Sequence, residues 1–436
     1  MNKKICMFVW NHFTNDARVL RECTALSENG YKVDLICIED PNDEGLSNYE
    51  ERNPNFKVYR VKRYPLLLDL IKKSYSFFKQ NLVLGVLVSI LWILLFFLSP
   101  IITSLITITI LALVKTKLQV LWVRGSIILR MIRMGFKLKY DIYHANDLNT
   151  LPQAYICSKL RLKKKKLVYD SHEVQTSRTG YESAFHGKLE KFLVYKADVM
   201  IVENHTRAKY NENLYGFYPE VLHNYPFMSN HSELGDFDLH KKLGISKYEK
   251  ILLYQGGIQT GRGLENLIKA FPSFKEGTLV LIGDGKIKPK LIKMVEENNI
   301  QEKVKFIPKV PLKELPKYTK NAYIGFQVLN NVCFNHYSAS SNKLFEYIMS
   351  GIPLVACDFP EIKKVVETEN VGLCIDSHNP MEIAKAVNKL LVNQDMRNKM
   401  SGNCNNAKLK YNWENEKHSL INIYAQLLHG GVKDVS

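Results

Sequence analysis

The sequence predicts an α/β chain of two doubly wound domains, the first carrying a hydrophobic helical insertion. Three observations carry this. Short, fully apolar runs alternate with amphipathic runs and glycine stops, the pattern of strands buried on both faces between covering helices. A length of 436 residues accommodates two domains of ordinary size. Residues 81–114 contain no charged side chain, which no helix of a soluble domain requires over such a length.

The chain opens with an apolar strand at Ile5–Trp10 and a polar loop, Asn11–Asp16. A helix follows from Ala17, with Val19, Leu20, Cys23 and Leu26 on its apolar side. Gly30 stops it before the strand Val33–Ile38. A strand–loop–helix–strand unit of this kind turns its first loop toward a ligand at the carboxyl edge of the sheet. Asn15 and Asp16 are therefore candidates for contacting a ligand, and equally for capping the helix with no ligand.

The uncharged stretch breaks at Ser99-Pro100 and continues from Ile101 to Val114. One membrane crossing needs roughly 20 apolar residues, so this stretch suits a shallow re-entrant helical hairpin better than two crossings. Lys72, Lys73 and Lys79 precede it, and Lys115, Lys117, Arg124, Arg130 and Arg133 follow, which places both flanks on the cytoplasmic side. Strands before and after it belong to one sheet, which argues against a single crossing. A hairpin buried in a soluble domain is the alternative. Trp122–Phe136 then reads as an amphipathic basic helix, apt for anionic headgroups.

The sheet resumes at Asp141–Asp147, with its helix at Leu151–Leu160, and again at Leu167-Val168-Tyr169, ending in Asp170-Ser171-His172-Glu173. Asp147, His172 and Glu173 thus stand at carboxyl ends of strands. A further strand, Ala197–Val202, precedes Val221–Pro226 and a polar stretch, Glu233–Lys250, that opens the second domain. There, Ile251–Tyr254 runs into the glycine-rich turn Gln255–Gly263 and a helix from Leu264, an arrangement that binds anions. Gly257 and Arg262 lie in that turn. Leu279–Ile282 ends in the tight turn Gly283-Asp284-Gly285. Ser341–Ala356 then reads as a helix, a stop at Gly351-Ile352-Pro353 and a buried strand. Lys343 and Glu346 share one face of that helix. They suit the phosphates and the ribose of a nucleotide, respectively, or else form a surface ion pair. Trp413–Leu428 is amphipathic.

The formal net charge of +17 points to nucleic acid, an anionic membrane or a phosphorylated substrate. Its basic residues cluster around the insertion, and no basic groove interleaved with aromatics is evident, which argues for membrane and against nucleic acid. The eight cysteines show no metal-ligand spacing and read as reduced core thiols.

Asn342-Lys343-Leu344-Phe345-Glu346-Tyr347, followed by Ser350-Gly351 and an apolar strand, resembles the nucleotide-sugar site of the family 4 glycosyltransferases. His144-Ala145-Asn146-Asp147 and Tyr169-Asp170-Ser171-His172-Glu173 are similar to signatures of the same family. The resemblance covers nearly the whole chain except residues 66–140. It implies a GT-B fold: two Rossmann-like domains facing across a cleft, with the hydrophobic insertion in the first. The domains would be 1–228 for the acceptor, with a membrane-associated hairpin at 81–114, and 229–412 for the nucleotide sugar. A terminal helix, 413–436, would cross back to the first.

It further implies transfer of a sugar from a nucleoside diphosphate sugar to a hydroxyl acceptor, with retention at the anomeric carbon and with neither metal nor cofactor. His172 would be the active-site histidine. Arg262, Lys343 and Gly257 would serve the diphosphate, Glu346 the ribose, and Gly283, Asp284 and Gly285 the base. Asn15, Asp16, Asp147 and Glu173 would line acceptor or cleft loops. The insertion points to a lipid-linked glycan acceptor at the cytoplasmic face of the cell membrane, with a membrane-tethered enzyme acting on a soluble acceptor as the alternative. The chain departs from the family pattern in three places. Thr14-Asn15-Asp16 replaces a Gly-Gly, Gly257 stands where an Arg is common, and Ser338 stands eight residues before Glu346 in place of a Glu. A nucleotide-sugar 2-epimerase and a non-catalytic membrane scaffold are the alternatives.

Overall fold

The computed structural model describes residues 3–43, 45–177, 184–228, 235 and 237–429. The chain forms two compact units, Met1–Asp170 with Tyr195–Asp198, and Ser171–Val194 with Val199–Ser436.

The first unit is built on β1 (Lys4–Phe8), β2 (Lys32–Ile38), β3 (Tyr49–Asn53), β4 (Phe56–Val61), β5 (Ile142–Asn146) and β6 (Lys166–Ser171). Their order is β3-β4-β2-β1-β5-β6. All neighbours pair in parallel except the β3–β4 hairpin. Ile5, Cys6, Met7 and Phe8 of β1 are fully buried, as expected of a strand covered on both faces. The first helix, α1 (Ala17–Glu28), is capped by Asp16, whose side chain accepts from the Val19 N–H. Val19, Cys23 and Leu26 are buried as expected, but Leu20 is 40% exposed. Its position falls at the edge of the apolar stripe, and Arg18 and Glu22 occupy interior places instead.

Between β4 and β5 stand α2 (Leu66–Gln80), α3 (Leu82–Leu98), α4 (Pro100–Lys115) and α5 (Lys117–Lys137). Pro100 occupies the first turn of α4, where its missing N–H costs nothing. The Trp92 indole N–H donates to Thr107 Oγ1 at 3.1 Å across the α3–α4 hairpin, and Thr103 Oγ1 donates to Leu95 O at 3.1 Å. The outside of the pair is bare hydrocarbon: Leu82, Phe97, Leu98 and Ile101 are each at least 74% exposed. Among the described residues, no single helix is long and apolar enough to cross a membrane. The helix α5 returns to the sheet, burying Ile127, Met131 and Gly135. It is followed by β5, α6 (Leu151–Lys159) and β6.

In the second unit, β7 (Val199–Val202) and β8 (Glu220–Val221) form a short parallel pair. The main sheet contains β9 (Ile251–Gln255), β10 (Thr278–Ile282), β11 (Val304–Ile307), β12 (Ile324–Gln327), β13 (Leu354–Cys357) and β14 (Gly372–Ile375). All pair in parallel, in the order β11-β10-β9-β12-β13-β14. The chain winds outward from β9 in one direction and returns to β9's other side with β12. That reversal leaves a crevice at the carboxyl ends of β9 and β12, where doubly wound sheets bind ligands. Two clusters of buried side chains form this unit's core. One includes Leu252, Leu264 and Phe326, the other Leu253, Leu344 and Tyr347. The last helix, Trp413–His429, is tied to residues 223–228: the His223 N–H donates to Glu416 Oε1 at 2.7 Å, and the Trp413 N–H to Pro226 O at 2.8 Å.

Candidate active site

The second unit gathers most of the residues singled out from the sequence at the carboxyl ends of β9 and β10. The helix Asn342–Met349 buries Leu344, Phe345, Tyr347 and Ile348, and Lys343 with them. At 9% exposure Lys343 is an interior residue, which removes the surface ion pair as an account of it. Its amino group stands 5.3 Å from the centre of the Tyr254 ring. It also packs on bare backbone at Gly256, 3.3 Å from where a Cβ would stand. Burial first, then the neighbouring Arg262, lowers the Lys343 pKa to about 7; the carboxylate of Glu346 opposes this. Arg262 is half-buried, and its Nε is a buried donor without a hydrogen-bond partner among the described residues. Two cations thus converge where the local structure supplies too little negative charge.

Glu346 follows one helical turn after Lys343. Its Oε2 accepts from Gln255 Nε2 at 2.6 Å, and Gln255 Oε1 accepts from Thr319 Oγ1 at 2.7 Å. Gln255 is fully buried at the end of β9, so the carboxylate is held from the sheet side.

The glycines define the crevice wall. Gly283 has φ +148°, and a Cβ there would fall 2.0 Å from Gly256 O. The turns after β9 and β10 therefore meet backbone to backbone, which only glycine allows. Gly285 packs on Ile258 O in the same way. Between them Asp284 accepts from Lys288 Nζ at 2.6 Å and the Lys309 N–H at 2.8 Å, and the Lys288 bond, first, lowers its pKa. Gly257 is exposed, its carbonyl accepting from the Tyr254 hydroxyl at 2.8 Å.

His336 is a site residue that the sequence did not reveal. Its ring packs on Gly261, 2.7 Å from where a Cβ would stand. Burial, then Arg262, holds the imidazole below its usual range, which favours its neutral form beside Arg262 and Lys343. Nothing in its sequence neighbourhood marks it, because Gly261 lies far back in the chain.

His172 and Glu173 also belong to the second unit. His172 is partly buried, and its carbonyl accepts from Arg207 Nη1. The Glu173 carbonyl accepts from Ser171 Oγ at 3.0 Å and Gln175 Nε2 at 3.3 Å. Asn15, Asp16 and Asp147 lie in the first unit. Asn15 is exposed, while Asp16 caps α1 and accepts from Asn11 Nδ2 at 2.7 Å. Asp147 has φ +64° and donates its N–H to Asp170 O at 2.9 Å.

His144 is wholly buried. With Glu22 and Asp170 it forms a group whose ligand atoms lie within 4.8 Å of one another, the one metal-sized group among the described residues. Arg18 fills the role of a cation there. Its Nε and Nη2 each donate to Asp170 at 2.9 Å, and its Nε lies 3.0 Å from Glu22 Oε1. A fork of this kind neutralises the carboxylates as a structural network does, and the donor set is better filled by the guanidinium than by an ion. All eight cysteines are free, six of them buried.

Residues 236–407 match the family model for glycosyl transferases group 1. Curated relatives include a glycosyltransferase of Methanocaldococcus jannaschii, 26% identical over 194 residues, or 43% of this chain and 47% of that protein. A D-inositol 3-phosphate glycosyltransferase of Xylanimonas cellulosilytica is 22% identical over 193 residues, 43% of this chain and 45% of that protein. The chain spans about half the length of these first relatives. Among solved structures, sucrose-phosphate synthase from Thermosynechococcus elongatus superposes with a TM-score of 0.71 at 16% identity, covering 98% of this chain and 100% of that one. HepE of Anabaena in complex with UDP-glucose superposes at 0.68 and 13% identity, covering 97% and 99%. At such identities the likeness is one of fold: the chain has the GT-B fold, two Rossmann-like parallel-sheet domains.

Proposed function

We propose that the protein is a family 4 glycosyltransferase. It would move a sugar from a nucleoside diphosphate sugar to a hydroxyl of a lipid-linked glycan at the cytoplasmic face of the cell membrane, with retention of anomeric configuration. The observation that carries the donor half is the buried meeting of Lys343 and Arg262 at the switch point of the second sheet. A diphosphate supplies the negative charge this place lacks. In the transfer step the bond from the anomeric carbon to the β-phosphate oxygen breaks, the acceptor oxygen forms the new bond, and the acceptor's hydroxyl proton passes to the departing diphosphate. Charge develops on the departing diphosphate, where preorganised cations stabilise the transition state most. Glu346, held by Gln255, receives the ribose hydroxyls, and His172 holds the donor sugar. The matched family model and the glycosyltransferase relatives support this assignment.

The acceptor half rests on the α2–α5 insertion. Its exposed apolar hairpin is a patch that water does not tolerate at that extent. The helices α3 and α4 have 17 and 16 residues, about 25 Å each at 1.5 Å per residue, short of a hydrocarbon core of ~30 Å. That length supports shallow insertion. The outward side of α5 adds a shallow hollow lined by Leu121, Trp122, Gly125, Leu129, Arg130 and Arg133, apolar and basic together as at a headgroup boundary.

The test offers UDP-, GDP- and ADP-sugars to the protein in a membrane mimic with lipid extract, without added metal. Nucleoside diphosphate release that disappears in Lys343→Ala and Glu346→Ala, and sugar incorporation into the lipid fraction, are expected. Absence of turnover and of nucleotide binding across the panel would contradict the assignment.

A further inference from the structure

Arg207 is 4% exposed on the helix His205–Tyr215, and its guanidinium is enclosed by other parts of the second unit. Apart from a local pair with Glu203, the guanidinium's hydrogen bonds reach segments distant in the chain. Nη1 donates to the carbonyl of His172 and, at 2.5 Å, to Glu203 Oε2, which balances its charge. Nε donates to Ser338 Oγ at 3.2 Å, and Nη2 to Asn335 O at 3.4 Å. Asn335 completes the tie. Its Oδ1 accepts from the Val174 N–H at 2.8 Å, and its Nδ2 donates to Val174 O at 3.1 Å, across 161 residues of sequence. The side-chain amide thus pairs with a backbone as a neighbouring strand would. Asn204, which caps the Arg207 helix, donates to Ser338 O at 2.7 Å, and the rings of Tyr210 and Phe334 lie 4.3 Å apart. The segment so gripped, 334–338, includes His336, which packs on Gly261 beside Arg262.

We propose that Arg207 and Asn335 are positioning residues: they clamp the His172–Val174 backbone to the 334–338 segment and so hold His172 in register with the Arg262–Lys343 pair. The proposal rests on the glycosyltransferase assignment for its catalytic consequence, and on the hydrogen bonds alone for the clamp. A guanidinium already balanced by Glu203 has little charge left for a diphosphate. Its loss therefore acts on where the histidine stands, not on how tightly the nucleotide binds. Misplacement by about 1 Å costs on the order of 100-fold in rate.

The test compares Arg207→Gln, Arg207→Lys, Asn335→Ala and Asn335→Asp in the full chain. It measures turnover with the active sugar nucleotide, affinity for the nucleoside diphosphate, and amide hydrogen exchange. Arg207→Gln and Asn335→Ala should lower kcat by roughly 30- to 100-fold and leave nucleoside diphosphate Kd within about twofold. Arg207→Lys, which still reaches the His172 carbonyl, and Asn335→Asp, which still accepts from Val174, should recover part of the loss. A kcat within about threefold of the parent, or a Kd that weakens in step with kcat, overturns the proposal. If the parent turns over no sugar nucleotide, the assignment fails, and exchange still decides the clamp. In Asn335→Ala the Val174 amide should exchange much faster while the β9 and β10 amides keep their protection. Unchanged protection at Val174 overturns the clamp.

Discussion

Two buried clusters of charge, one in each unit, differ in how their charges are met. In the first unit, Arg18 faces Asp170 and Glu22 at hydrogen-bond distance, with His144 3.9 Å from Glu22. In the second, burial and then Arg262 disfavour the charge on Lys343, and Glu346 is the first of the groups that offset this. A charge network that closes on itself stabilises one arrangement of the chain. One left open is costly until a ligand closes it. The difference separates structure from function better than burial does, since Arg18 at 6% and Lys343 at 9% are similarly enclosed.

The comparison is broken most forcefully at Arg18. Arg18→Met leaves two carboxylates buried without their cation and should cost about 3–5 kcal/mol of stability, measured by urea denaturation. Lys343→Met should do the reverse, removing an uncompensated cation without loss of stability. It should also lower turnover by on the order of 100- to 1,000-fold, as loss of one preorganised donor does, measured with saturating donor. If both variants lost equal stability, the two clusters would be alike and the distinction would fall.

Acidity sharpens the contrast. With its pKa at about 7 in the free protein, Lys343 sheds its proton as pH rises past neutrality, whereas a bound diphosphate restores the proton. Nucleoside diphosphate affinity should therefore be full below pH 7 and fall above it, by up to about tenfold per unit. Calorimetry at pH 8 in buffers of different ionisation enthalpy should register proton uptake. Free-protein stability should move the other way. Between pH 7 and the ordinary lysine range the unfolded chain holds the proton that the folded chain has lost, so this residue's contribution rises with pH.

The smallest effect is at Asp16, a residue with two possible roles. As the α1 cap, Asp16→Ala should cost about 1 kcal/mol in thermal or urea unfolding while leaving donor affinity unchanged.

The donor site was legible where its chemistry is local. Lys343 and Glu346 lie on one helix, and the glycine turns follow strands whose residues are buried on both faces. The hairpin break at Ser99-Pro100 was legible for the same reason, a proline after an unbroken apolar run. Partnerships closed across the chain were not. Arg18 and Asp170 are 152 residues apart, Arg207 and Ser338 131, and no periodicity encodes such pairs. His144, part of a stretch similar to a family signature, is an interior residue, because its place in β5 sets it opposite Met7 in the middle of the sheet. The β3–β4 hairpin also escaped, since Tyr49–Asn53 is a largely exposed polar edge without the apolar alternation that marks a strand.

The central claim is that the second unit's open pair of cations is the seat of a diphosphate, and calorimetric titration of UDP, GDP and ADP tests it most directly. The parent protein should bind one of them without added metal, with proton uptake at pH 8 that is absent in Lys343→Met. Binding that is indifferent to Lys343→Met and Arg262→Met, or no binding of any of the three, would contradict it.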